Sequence, residues 1–361
     1  MKLDAKDIEE AFDWDADPRV FIFNNEIPGK VRMHTRRLEW DDWVQIDKTY
    51  PMQMKLRESL LQSKWDEVFV TNHDESTRLA KQELLDKIID YLPGRFPDKF
   101  EARENGIYNK MLDEFVSADA SDPEDPLIRA ARLTQEDWVI MQWSDKDEAY
   151  ALTAGVVLFP MRWSLLEKFN QSMPLIHKPV HAFTKHLLPN VQSLFKKMVP
   201  SAPVWRGNWA IFNDLDGPLD LFTPTGHTDR NEINQISKYE GEATGTKLTF
   251  RAEYQTLCKL PRSEAIVFSI RTYQKFLKEF RDFPISDAEG LCRAIETLDP
   301  DIHVYKGADF WKDASLQYLR SIIAEREFVS LPANKAVMSY ALPAAAVLCA
   351  AAIFVRFTVF K

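Results

Sequence analysis

Two periods of hydrophobic and polar positions divide the chain. From Thr77 to Tyr91 and just beyond, Leu79, Leu84, Leu85, Ile88, Ile89 and Leu92 fall near helical spacing. That predicts an amphipathic helix, stopped by Pro93 and Gly94. Asp41-Asp42-Trp43 and the stretch from Asp47 to Tyr50 open shorter helical segments, with Asp as N-cap. Ser117 to Pro126 is an acidic, Pro-containing loop, predicted to join a helical N-terminal region to a sheet. The period then falls to two. Trp138 to Trp143 and Tyr150 to Leu158 read as a hairpin about the polar turn Ser144-Asp145-Lys146-Asp147. Trp209 to Phe212, Leu248 to Leu257 and Ala265 to Ile270 read as further strands. Helices are predicted over Arg162 to Phe169, Ala182 to Met198, Thr272 to Phe280, Ser286 to Leu298 and Phe310 to Arg326, with Ser286 and Glu289 forming a capping box. Asp214 to Gly245 is polar and aperiodic, a surface excursion of the kind that forms lids. The expected class is α+β, an antiparallel sheet core with surrounding helices.

Composition adds limits. The chain has 361 residues, 45% hydrophobic, enough for a sizeable core. Its net charge of −9 argues against a nucleic-acid binder, which needs a basic face. Cys258, Cys292 and Cys349 show neither metal spacing nor a CxxC, which points to a reducing compartment. Met1 to Asp17 is acidic and polar, unlike a secretory signal or a mitochondrial presequence. Ala336 to Val355 carries no charge and is flanked by Lys335 and Arg356. It is expected to be a C-terminal transmembrane helix, the alternative being a buried or Ala-rich soluble tail. The body would then face the cytosol, at the endoplasmic reticulum first and the mitochondrial outer membrane second.

Candidate chemistry concentrates between Leu158 and Trp209. Trp163, Trp205, Trp209, Arg162, Arg206 and His177 punctuate apolar segments there. Trp and Arg together make flat, cation-lined surfaces that suit a planar ligand with acidic groups. His177 is a candidate axial metal ligand; the alternative is a histidine that binds a backbone carbonyl to fix the Pro-rich loop. His181 and His186 follow it, but Pro179 intervenes and no Glu completes a zinc motif. Arg162 and Arg206 are candidates to grip carboxylates, against a structural stack or ion pair. On the strand through Glu253 and Gln255, residues 251, 253 and 255 share a face and Tyr254 takes the other. Glu253 and Gln255 are the catalytic candidates, against a plain strand edge. Cys258 reads as buried and inert. No GxGxxG and no P-loop is present, so the chain lacks an evident site for its own nicotinamide or ATP.

Phe159-Pro160-x-Arg162-Trp163-Ser164-Leu165-x-Glu167-Lys168, Ile176-His177-x-Pro179-Val180, Val204-Trp205-Arg206-x-Asn208-Trp209 and Glu253-x-Gln255-Thr256-Leu257 resemble the haem-dependent oxidative N-demethylase family, alpha-subunit-like. The chain departs from the family's usual pattern at His181-Ala182, at Tyr254 (where arginine is usual) and at Met33-His34-Thr35. The resemblance implies a PAS-like fold and a haem b cofactor, with His177 as metal ligand and Arg162, Arg206, Trp163, Trp205 and Trp209 around the cofactor. It also implies a monooxygenase or oxidative demethylase acting on an amine-containing or other small organic substrate, as in secondary metabolism, and a redox partner protein that supplies the electrons. A non-enzymatic haem or small-ligand sensor and a haem-free membrane-tethered scaffold are the alternatives. The expected organisation is a polar segment over 1–20, the demethylase-like domain over 21–306, a helix and linker over 307–335 and the membrane helix, in a fungal-type, tail-anchored member.

Overall fold

The computed structural model describes residue 10 and residues 32–160, 163–178, 183–213 and 241–330. Among these, the strands are β1 (Arg36–Arg37), β2 (Phe69–Thr71), β3 (Phe100–Arg103), β4 (Gly106–Asn109), β5 (Glu114–Ser117), β6 (Asp137–Ser144), β7 (Ala149–Val156), β8 (Val204–Asn213), β9 (Leu248–Lys259) and β10 (Ile266–Phe276). One sheet runs β1-β8-β9-β10-β6-β7-β2 and a smaller one β3-β4-β5. All pairings are antiparallel. The expected α+β class with an antiparallel core is what the chain adopts.

The hairpin β6–β7 forms where alternation predicts it. Elsewhere pairing overrides local pattern. The expected helix from Thr272 is instead the second half of β10, with only Leu277–Arg281 forming a 3-10 turn. Thr272 pairs with Glu253 and Phe276 with Thr249, so the partner strand continues past the point where the sequence signal turns. The long helix spans Glu75–Arg95. Asp74 caps it by accepting from the Thr77 N–H at 2.9 Å, and Pro93 lies inside its last turn. A proline there loses only one hydrogen bond, and the Phe96 N–H still reaches the Leu92 carbonyl at 2.8 Å. The helix after Pro284 starts at Ile285 without a side-chain cap, so Ser286 sits in its first turn. The N-terminal region is not purely helical, because β3–β5 lie within it.

Both faces of the large sheet are covered, which is why β9 is buried along all but its last residue. One face, called outer below, carries Trp138, Ile140, Val267, Tyr273, Phe250, Ala252, Tyr254 and Cys258 into a core shared with Trp43, Leu84 and Ile88. The inner face carries Val139, Met141, Leu152, Leu257 and Ile266 into a second cluster with Met173, Phe183, Val191 and Phe195. That second cluster is roofed by a helical layer: Leu165–Lys168, Met173–Ile176, a π turn at Phe183–Leu187 and Leu188–Lys197.

Charge is buried at the hairpin's entry. Arg57 pairs with Asp137 at 2.7 Å and donates to the Glu136 carbonyl at 2.7 Å. Arg271 pairs with Asp47 at 2.7 Å. Burial pushes the Glu136 carboxyl up to about 7, against the pull of Arg271. A carboxyl raised in the folded state is proton-bound there while the unfolded chain has already ionised. Stability therefore falls as pH rises from 4.5 to about 7, then stays level. Glu136→Gln should flatten that slope and add about 1–3 kcal/mol at pH 8, read by urea unfolding across pH. An unchanged slope would assign the titration to another group.

Among the described residues, no helix is long and apolar enough to cross a membrane. The expected polar N-terminal segment over 1–20 (Glu10 apart), nearly all of the excursion from Asp214, and the segment Ala336 to Val355 lie outside them, as do Arg162, His181 and Cys349.

Candidate functional site

The register of β8, β9 and β10 builds a polar row on the inner face. Arg206 lies opposite Gln255, Asn208 opposite Glu253, and Glu253 opposite Thr272. The Glu253 carboxylate is fully engaged. One oxygen accepts from Arg251 Nε at 3.0 Å and Nη2 at 2.9 Å. The other accepts from Asn208 Nδ2 at 3.1 Å and Gln255 Nε2 at 2.7 Å. Burial alone would raise its pKa. The Arg251 charge and the hydrogen bonds outweigh burial and hold the carboxyl below its ordinary range. Glu253 is thus a fixed anion with no lone pair left for proton transfer. With Gln255 Nε2 spent on Glu253, the Gln255 carbonyl oxygen is the acceptor this pair leaves available.

His177 stands against this row from the helical layer. It ends the short helix Met173–Ile176, and its Nδ1 lies 3.1 Å from the Met173 carbonyl. Its ring stacks on Phe183, with centroids 3.8 Å apart and planes 14° apart. The Met173 carbonyl accepts only a proton, which places the N–H on Nδ1 and the lone pair on Nε2. The two roles weighed for this histidine are therefore compatible, since the carbonyl bond is what orients a ligating imidazole. Burial lowers the imidazole pKa to about 4, and the positive charges of Lys168 and Arg206 add to the shift. The ring is neutral at physiological pH. Lys168 donates to the Ile176 carbonyl at 2.8 Å and lies 5.9 Å from the Trp163 ring. Burial lowers its own pKa.

The loop that leads to Trp163 is clamped at one peptide. The Phe159 N–H donates to Asp137 Oδ2 at 3.0 Å, and the Phe159 carbonyl accepts from Arg251 Nη2 at 2.5 Å. Asp137 is the partner of Arg57, and Arg251 the partner of Glu253. Two buried ion pairs, one on β6 and one on β9, thus fix where the Phe159-Pro160 segment passes the sheet.

Tyr305, at the end of the helix Pro300–Tyr305, comes within reach of the Glu253 charge. It keeps 53% of its surface open, yet burial raises its phenol pKa and the Glu253 charge adds to the rise. Lys306 anchors the segment by donating to the Trp209 carbonyl.

The tryptophans divide differently from expectation. Trp205 and Trp209 share a face with each other, but it is the outer one. Trp205 packs on Tyr254, 5.2 Å between centroids, and Trp209 on Trp311 at 6.2 Å. In a strand, residues 205 and 209 point away from residue 206, so Arg206 reaches the site and they do not. Tyr254 is also outer and donates to the Asp42 carbonyl at 3.1 Å, so this departure from the family pattern lies away from the His177 site. Cys258 is buried there, its thiol pushed up to about 12 by burial. Asn208 and Lys168 stand inside quoted motifs but were not singled out from sequence. Phe183 and Tyr305 carried no sequence signal.

Among the described residues no group of three or more His, Cys, Asp or Glu is placed to hold a bare metal ion. A single oriented imidazole suits a metal that arrives already held by a macrocycle. Two cations beside it, Lys168 and Arg206, match the two propionates such a macrocycle carries. The donor set fits haem. The family model for "haem-dependent oxidative N-demethylase, alpha subunit-like" matches residues 34–316, and the chain belongs to that family.

Proposed function

We propose that the protein is a haem-dependent monooxygenase that demethylates a small amine. The observation that carries this is the His177 imidazole: neutral, held through Nδ1 by a backbone carbonyl, and flanked by Lys168 and Arg206. Haem b, bound through His177 Nε2, supplies activation of dioxygen. Lys168 and Arg206 hold its carboxylates, and Phe183 keeps the imidazole plane fixed. The Glu253–Arg251 pair fixes Gln255, whose carbonyl oxygen accepts from the substrate N–H. In the overall reaction one oxygen atom enters the C–H bond next to nitrogen and the other leaves as water, with two electrons and two protons consumed. The carbinolamine product then breaks its C–N bond to give the amine and formaldehyde. The electrons come from a separate reductase, in keeping with the absence of nicotinamide and P-loop motifs.

The core is also read as PAS-like. A hairpin, β6–β7, is followed by a helical layer, and a meander, β8–β9–β10, returns to pair β10 with β6. The ligand face lies under the layer. The test is an absorption spectrum of full-length protein made with haem supply, followed by oxygen-dependent formaldehyde release from dimethylamine with a reductase. A Soret band and turnover are expected. A band without turnover of any N-methylamine would favour a sensor, and a colourless protein would leave only a scaffold.

A membrane anchor over Ala336 to Val355 belongs to the same proposal, supported by its uncharged sequence between basic flanks. Full-length protein should resist a carbonate wash of endoplasmic-reticulum membranes, and a chain ending at Ala333 should be released. Release of both would reassign the segment.

A further inference from the structure

The roof over the site is charged against the rest of the molecule. Between Arg162 and Arg206 the sequence holds seven Lys and Arg and a single acid, Glu167, in a chain whose net charge is −9. The helix Leu188–Lys197 shows how the structure uses this. Val191 and Phe195 are buried in the inner cluster, while Lys196 and Lys197 stand exposed at its last turn. Lys196 also lies 4.5 Å from the half-open Trp143 ring. Lys178 is exposed directly after His177. Large apolar residues stay open on the same layer: Leu166 at 58%, Leu175 at 51%, and Val199 at 49% just after it. Asp145 and Asp147, close to Trp143 in the chain, belong to the hairpin turn and bond within it, to Trp143 and Ser144.

From this we infer that the outer surface of the roof docks an acidic electron-carrier protein. Lysines interspersed with exposed apolar side chains are the make-up of a transient docking face, where charge steers encounter and the apolar contacts hold it. A basic face on an acidic body also orients an acidic partner from a distance. The location argues for an electron donor rather than a regulator. Electron transfer falls steeply with distance, and the helical layer that bears these lysines is the one that carries His177, with Lys178 next to it in the chain. The inference rests on the proposed function and adds which surface the donor uses and what charge it bears.

The experiment measures binding of full-length protein to a plant-type [2Fe–2S] ferredoxin, a strongly acidic one-electron carrier. Raising salt from about 50 to about 200 mM should weaken binding at least about tenfold. Lys196→Glu/Lys197→Glu should weaken it at least about tenfold more and slow reduction by ferredoxin, with haem content and reduction by dithionite unchanged. If charge reversal at the helix end harms folding, Lys196→Gln/Lys197→Gln should show the same direction with a smaller loss. A haem-bearing protein that fails to bind ferredoxin, or whose binding ignores both double variants, overturns the docking face alone. Binding to phosphatidylserine vesicles but not to ferredoxin overturns it in favour of a membrane face. A colourless protein overturns the proposed function and the donor's identity with it.

Discussion

His177→Ala should weaken haem binding by about 100-fold or more and shift whatever Soret band remains. The imidazole is a neutral, pre-oriented nitrogen donor, and losing a first ligand costs at least what losing a supporting one does, roughly 10–100-fold. The fold itself should lose little, because the ring's chief contacts are a stack on Phe183 and a hydrogen bond to the Met173 carbonyl. The pH dependence is specific. An imidazole lowered to about 4 remains neutral through the physiological range. Haem affinity should therefore be flat from pH 8 to about pH 5 and fall only towards pH 4, where Nε2 takes a proton. The same shift contributes stability that is full above the ordinary histidine value of 6.5 and is lost as pH falls towards about 4. A haem titration across pH, read at the Soret maximum, checks both. A midpoint near 6.5, or wild-type affinity in the alanine variant, would remove His177 as the ligand.

Glu253→Ala should cost about 3–5 kcal/mol of stability, well beyond a typical surface change. The carboxylate is the counter-charge of Arg251, which is 1% exposed and has one guanidinium nitrogen, Nη1, already without a partner. Truncation leaves that charge buried alone. It also frees Asn208 and Gln255, and it loosens the Phe159 carbonyl that Arg251 holds. Gln255→Ala should cost only about 1 kcal/mol, since it removes one hydrogen bond, yet raise KM by about tenfold through loss of the substrate acceptor. Urea unfolding and formaldehyde-release kinetics on the same preparations separate the two. Equal stability loss in both variants would mean that the Arg251–Glu253 pair is not the buried support the geometry describes. Wild-type kinetics in Gln255→Ala would place the substrate elsewhere.

Much of this site was legible along the chain because strands impose a period of two. Arg251, Glu253 and Gln255 had to share a face, and Tyr254 had to leave it, whatever the rest of the fold did. The hairpin β6–β7 was equally local, set by alternation on each side of a polar turn. His177, Arg206 and the Lys168 motif were visible as residue types, and the family motifs placed them in one functional stretch. Alternation also separates Arg206 from its neighbours Trp205 and Trp209. Grouping all three around one ligand overlooked that a β8 running from Val204 to Asn213 sends them to opposite faces.

Tertiary structure decided the rest. Where β10 ended depended on the length of β9, because pairing energy is supplied by the partner strand and is absent from the local pattern. The split of Glu253 into a fixed anion rather than an acid or base depended on Arg251, Asn208 and Gln255 meeting at one carboxylate, two of them from the same strand and one from β8. The neutral state of His177 depended on burial under the roof and on two cations from separate elements. Tyr305, 52 residues beyond Glu253, comes within reach of its charge through a helix whose sequence carries no sign of it. Composition and period determine which faces are apolar and which residues share them. Desolvation and the meeting of distant charges determine what those residues can do, and both exist only once the sheet and its helical roof have closed on each other.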